Sequence, residues 1–113
     1  MKVSARNVFE GTISTLVDGK VNAEVEITMA GGDRLVAIIT EGSVQALGLA
    51  LGKPVLAFVK APWVIVLAGD SGVKFSARNQ LAGMVESLIK GAVNSEVGIK
   101  LTGGTLVYAV VTN

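Results

Sequence analysis

Gly19-Lys20-Val21-Asn22-Ala23-Glu24-Val25-Glu26-Ile27-Thr28 sets Val21, Ala23, Val25 and Ile27 in alternation with Asn22, Glu24, Glu26 and Thr28. A period of two puts the apolar set on one face of an extended chain, which marks a strand with one buried side. Ala30-Gly31-Gly32-Asp33 follows as a turn, and Arg34 to Thr40 runs back as a more continuously apolar strand, so the stretch predicts a β-hairpin. Upstream, Val8 to Val17 reads as a strand ended by Asp18-Gly19. Downstream, Pro54 to Lys60 and Trp63 to Leu67 read as the last extended segments, on either side of Pro62. Between them, Ser43 to Leu49 predicts a short helix that Ser43 caps and Gly48 ends. Several short antiparallel strands with one small helix make an all-β, five-stranded barrel of the oligonucleotide/oligosaccharide-binding (OB) type the most economical architecture.

The same pattern is then written a second time. Lys2-Val3-Ser4-Ala5-Arg6-Asn7 returns as Lys74-Phe75-Ser76-Ala77-Arg78-Asn79, and Gly19-Lys20-Val21-Asn22-Ala23-Glu24-Val25 returns as Gly91-Ala92-Val93-Asn94-Ser95-Glu96-Val97, both displaced by 72 positions. Laid over 73–113 without a gap, residues 1–41 give 17 identical pairs, and the substitutions keep the apolar pattern. This is a duplicated unit. The expected organisation is a first domain over 1–68, a linker over 69–72 and a second domain over 73–113 that holds only its N-terminal part. Nothing in the second copy corresponds to Gly42 through Leu67. A five-stranded barrel does not close from that alone, so either the sequence is a fragment of a longer tandem protein, the favoured expectation, or a neighbouring chain supplies the missing edge.

A unit this small buries only about 60% of its unfolded surface, yet half of the composition is hydrophobic. Apolar surface is left over, and association with other units or chains is its natural destination. Ten basic and nine acidic residues, spread without blocks, give a formal charge of +1. That balance argues against nucleic acid or an anionic membrane as a partner of the whole molecule. The absence of Cys and His excludes thiolate chemistry, a Ser-His-Asp triad and the usual zinc cages. No stretch approaches the ~18 uninterrupted apolar residues of a membrane span, and the start lacks the apolar core of a signal peptide. A cytoplasmic location is the default expectation, and no enzyme is expected.

Ser4-Ala5-Arg6-Asn7 and its repeat are the sharpest chemical feature. A guanidinium offers several donors in a fixed fork, and a serine hydroxyl with nearby backbone amides can converge on the same oxygens, as a small oxyanion requires. The same arginines would also serve on a wet face or paired with carboxylates. Thr40-Glu41-Gly42-Ser43 brings hydroxyls to the start of the short helix, where an anion is favoured, although an N-cap already explains Ser43. Lys60 interrupts an apolar run and needs either a bound anion or solvent. Gly19-Lys20-Val21-Asn22 and Gly91-Ala92-Val93-Asn94 form a second repeated constellation, in which glycine permits a turn that aims successive amides at one point.

Together with Gly31-Gly32, Leu47-Gly48-Leu49 and Val59-Lys60-Ala61, these segments resemble the Mop domain of the molbindins over the first unit and all of the second that is present. A tandem pair resembles the di-Mop molbindins, small cytoplasmic proteins that bind molybdate and tungstate. The resemblance implies an OB-like barrel in tandem, a homotrimer, no covalent cofactor, and oxyanions held at interfaces between units, without direct bonds from protein to metal. One site class would use Ser4, Ala5, Arg6, Thr40, Ser43 and Lys60, with Ser76, Ala77, Arg78 and Thr112 from the second copy. A second class, near the threefold axis, would use Gly19, Lys20, Val21 and Asn22, and Gly91, Ala92, Val93 and Asn94. The implied function is intracellular storage and homeostasis of molybdate or tungstate. The alternative is a ligand-sensing module of a molybdate-responsive regulator or a transport ATPase.

Overall fold

The computed structural model describes residues 4–69 and 76–113. Lys2, Val3, Lys74 and Phe75 of the repeated segments, and 70–72 of the expected linker, lie outside the described residues. The fold is all-β and OB-like. The first copy contributes β1 (Asn7–Asp18), β2 (Asn22–Met29), β3 (Arg34–Thr40), the helix α1 (Glu41–Leu47) and β4 (Pro54–Val59). The second contributes β5 (Gly83–Lys90), β6 (Asn94–Leu101) and β7 (Leu106–Thr112). One antiparallel sheet runs β3-β2-β1-β4 and the other β5-β6-β7.

The alternation in β2 does what its period requires. Ala23, Val25, Ile27 and Met29 are buried, while Glu24, Glu26 and Thr28 are only half-buried. Each fully buried aliphatic side chain is worth about 1.5–3 kcal/mol. A slip of one residue would turn the whole set to water, so the pairings Val25 with Ala37 and Ile27 with Leu35 are strongly specified. The hairpin turns form where the glycines predict them. Gly32 and Gly104 take φ of 96° and 97°, a region that disfavours side chains, and Met29 and Leu101 donate to the carbonyls of Asp33 and Thr105, each at 2.8 Å. Even the irregularity repeats: β1 shifts register between Ile13 and Thr15, and β5 between Val85 and Ser87.

Two sequence expectations are corrected. The helix begins at Glu41, two residues before Ser43, and its N-cap is Thr40, whose Oγ1 accepts the Ser43 N–H at 3.1 Å. Thr40 ends β3 with extended backbone, so its hydroxyl can turn back on the first turn while Ser43 lies inside it. The helix ends as expected at Gly48, its C-cap at φ 62°, with Lys53 Nζ donating to the carbonyls of Leu47 and Gly48. Trp63 to Leu67 is not a strand. Pro62, with no N–H and a fixed φ, opens a 3₁₀ turn over Ala61–Trp63, in which Trp63 and Val64 donate to the carbonyls of Lys60 and Ala61.

The spatial units cut across the sequence repeat. Phe9–Leu56 forms one compact unit, and among the described residues 4–8 join 57–69 and 76–113 in the other. In the first unit, Ile13 exchanges backbone bonds with the segment after α1, donating to Lys53 O at 3.0 Å and accepting from Gly52 N–H at 2.7 Å. Its side chain is 2% exposed. In the other unit β5 is an edge strand, and Val85, the repeat counterpart of Ile13, is 63% exposed. That unit instead includes residues 4–8 and the 3₁₀ turn, which packs against β7 and buries Ala61.

Candidate functional site

The repeated Ser-Ala-Arg-Asn segment enters β1 at Asn7, and there the structure separates two roles. Asn7 is 1% exposed; its Nδ2 donates to Tyr108 O at 2.8 Å, and its Oδ1 accepts the Tyr108 N–H at 2.7 Å. The amide thus stands in for a peptide unit against β7. Arg6, one residue earlier, points the other way along the alternating chain and is exposed. Its Nη2 donates to Glu96 Oε1 at 3.2 Å, and its guanidinium carbon lies 3.7 Å from the Tyr108 ring centre. The hydrogen bond that Arg6 donates to Glu96 raises its pKa above the ordinary value, burial opposes the rise, and the charges of Glu96 and Tyr108 add to it. Stacking on one face and pairing at one nitrogen hold the planar fork in a defined orientation.

Lys60 finds a ring as well. It sits just after β4, exposed, with Nζ 5.8 Å from the Trp63 ring centre. Thr40 and Ser43 satisfy one another: besides the cap, Thr40 Oγ1 donates to Ser43 Oγ at 2.8 Å. Ser4, Ser76, Ala77, Arg78 and Thr112 are exposed and Ala5 is half-buried; the Ala77 carbonyl accepts from Gln80 Nε2 at 2.9 Å. The residues of the first class therefore divide between the two units, with Thr40 and Ser43 in Phe9–Leu56 and the rest in the other.

The second class consists of two exposed turns with shared geometry. A Cβ on Gly19 would lie 2.4 Å from the Asn22 carbonyl oxygen, and one on Gly91 2.6 Å from that of Asn94. No side chain fits there, so glycine is required by close approach rather than by φ. Glu41 N–H donates to Val21 O at 2.8 Å, and Asn113 N–H, its repeat counterpart, donates to Val93 O at 3.0 Å. Around the second turn the remaining bonds are neutral: Gly91 N–H to Asn94 O at 2.8 Å, Asn113 Nδ2 to Gly91 O at 2.8 Å, and Ser95 Oγ to Asn113 Oδ1. Around the first turn stands a carboxyl. Burial and a hydrogen bond and charge from Asp18 push the Glu41 pKa up, with the Gly19 N–H pulling it down.

No cluster of three or more His, Cys, Asp or Glu side chains suited to a metal ion occurs among the described residues. No described helix is long and apolar enough to cross a membrane. An open groove in the Phe9–Leu56 unit is lined by Glu10, Thr12 and Thr28 with Pro54, and it contains none of the candidate residues. Glu10 makes it a poor receptor for an anion.

Residues 3–66 match the TOBE domain. The chain belongs to the TOBE domain family. Over its whole length it is 53% identical to the cytoplasmic molybdate-binding protein ModG, whose structure was solved with molybdate bound, covering 80% of that chain with a TM-score of 0.92. It is 39% identical over 113 residues to the molybdenum-pterin-binding protein MopA of Rhodobacter capsulatus. It is 43% identical over 105 residues, 92% of this chain, to the transcriptional regulator ModE of Yersinia pestis. The chain spans 43% and 40% of the lengths of these last two relatives.

Sequence reasoning about this TOBE chain missed Glu96 and Tyr108 as the groups that orient Arg6, and Asp18, Glu41 and Asn113 as the groups around the turns. Glu96 had a signal, since the glutamate recurs at the same place in Gly19–Val25 and Gly91–Val97. Tyr108 had none, because Val36 stands at its place in the first copy.

Proposed function

We propose that this chain binds molybdate or tungstate and serves storage and homeostasis of the oxyanion, with no bond made or broken. The observation that carries the reading is the 53% identity, over the entire chain, to a protein solved with molybdate bound. The duplicated arginine segments and glycine turns supply the right chemistry beside it. A tetrahedral dianion presents four acceptor oxygens, which cationic donors together with neutral N–H and O–H groups match best.

In this proposal the first site class draws on Ser4, Ala5, Arg6, Thr40, Ser43 and Lys60, with Ser76, Ala77, Arg78 and Thr112. The second uses Gly19, Lys20, Val21 and Asn22, and Gly91, Ala92, Val93 and Asn94. The anions lie where protomers of a trimer meet. Glu96 and Tyr108 position Arg6 by occupying one Nη and one face of its guanidinium. Withdrawal from water between subunits strengthens each charge-assisted bond, and a ligand bridging protomers stabilises their assembly by linkage.

The likeness to a transcriptional regulator supports a second reading, a sensing module whose ligand changes how an attached domain meets its partner. Titration calorimetry of the chain with molybdate, tungstate and sulfate tests the first. The two metal oxyanions are expected to bind at least tenfold more tightly than sulfate, and equal or absent binding would refute it.

A further inference from the structure

β5 is built as β1 is, yet it lacks what β1 has on its outer edge. Gly11 pairs with Met29 and Ile13 with Ile27, as Gly83 pairs with Leu101 and Val85 with Ile99. The close approach of glycine to the partner strand repeats too: a Cβ on Gly11 would lie 2.6 Å from the Thr28 carbonyl oxygen, and one on Gly83 2.5 Å from that of Lys100. The two strands therefore present the same backbone groups to the side away from their hairpin partners. On β1 that side is taken. Ile13 N–H donates to Lys53 O, and Ile13 O accepts the Gly52 N–H, where the chain runs into β4. On β5 the N–H and C=O of Val85 hold those places, and no strand pairs there among the described residues.

The side chains differ accordingly. Phe9 and Ile13 are buried and Leu16 is half-buried, whereas their repeat counterparts Leu81, Val85 and Leu88 are exposed. All eight residues of β5 are exposed. Edge strands that stay unpaired are blunted by proline, charge or cover; β5 contains no proline, and its charged residues are Glu86 and Lys90 alone. An edge of this kind is a template for one more strand, in which main-chain bonds supply affinity and alternate side chains supply selectivity.

We propose that the free edge of β5 is a docking site for an extended peptide segment with the chemistry of β4 and its lead-in. Such a segment brings a glycine whose N–H reaches Val85 O, a lysine whose carbonyl accepts the Val85 N–H, and then proline and aliphatic residues, as Gly52-Lys53-Pro54-Val55-Leu56-Ala57-Phe58-Val59 bring to β1. Gly52 takes φ of 82°, so the glycine is required and separates this partner from an ordinary apolar strand. Val55, Ala57 and Val59 are the half-buried set of β4, while Leu56 and Phe58 are exposed, so alternate positions carry the selectivity. The proposal stands apart from the anion and its sites.

The test titrates the chain into a fluorescein-labelled peptide with the sequence of residues 49–60, follows anisotropy, and locates the peptide by amide hydrogen exchange. Saturable binding with slowed exchange at residues 83–90 is expected. The same peptide with N-methylglycine in place of Gly52 lacks the donor to Val85 O and should bind about tenfold more weakly, a loss that loose adhesion of an apolar peptide would not show. That comparison leaves the protein unaltered. Val85→Lys, a change at an exposed position whose fold thermal melting confirms, should weaken the unmethylated peptide as well. No binding, equal binding of the two peptides, or slowed exchange confined to residues 7–18, where the peptide would have displaced β4 from β1, would each overturn the proposal. So would protection of residues 83–90 that grows with chain concentration and is not deepened by peptide, which would assign the edge to a second copy.

Discussion

Asn7 and Arg6 are adjacent, repeated and hydrogen-bonded, yet they differ in what they contribute. Asn7 satisfies both polar groups of Tyr108 from a position 1% exposed, so Asn7→Ala strands a buried N–H and C=O at about 1–3 kcal/mol each. Arg6 and Glu96 are half and one-quarter exposed in their side chains, and exposed pairs contribute little. Urea unfolding should therefore show a large loss for Asn7→Ala and almost none for Arg6→Ala, whereas anion binding should show the reverse order. The sequence presents Ser-Ala-Arg-Asn as one motif, because identity between copies does not tell a structural asparagine from a functional arginine. Glu41 carries a second residue-level prediction. Its pKa is raised in the folded state, by burial first and then by Asp18, so the native state holds a proton that the unfolded chain releases. Between the ordinary carboxylate pKa and the raised one, ν_N exceeds ν_U and stability falls as pH rises. Chemical denaturation across that window should show this slope in the unchanged chain and a flatter profile in Glu41→Gln.

The hairpins were the elements most legible in the sequence. Val21 to Ile27 alternates without a fault, and two glycines mark the turn that follows. Burial then enforces the register that the alternation implies. The helix was legible in its existence and in its end at Gly48 but not in its start: both Thr40 and Ser43 are capping residues, and only the extended backbone at Thr40 decides between them. Thr40→Ala should cost about 1 kcal/mol and loosen α1, which amide hydrogen exchange of residues 43–47 would report. Ser43→Ala removes a donor-acceptor partner without removing the cap and should cost less. The stretch after Pro62 was misread as a strand because β-branched residues fit a strand by composition. Where the backbone bonds of Val64 and Trp63 go, into a 3₁₀ turn, is set by the proline.

For the whole molecule, the repeat was plain in the sequence but the spatial division was not. A displacement of 72 positions says which residues correspond; it does not say that residues 4–8 and the 3₁₀ turn of the first copy pack with the second. That arrangement depends on contacts such as Asn7 with Tyr108, 101 positions apart. Chemically the copies also diverge, with Asp18, Lys20 and Glu41 at one turn and Lys90, Ala92 and Asn113 in their places at the other. The account's central claim is that repeated arginine segments and glycine turns hold a tetrahedral metal oxyanion. Anomalous diffraction at the tungsten edge, from crystals grown with tungstate, tests it most directly. The account predicts peaks beside Arg6 or Arg78 and at the Gly19–Asn22 and Gly91–Asn94 turns. A map with no peak within hydrogen-bonding reach of those arginines or of either glycine turn would contradict it.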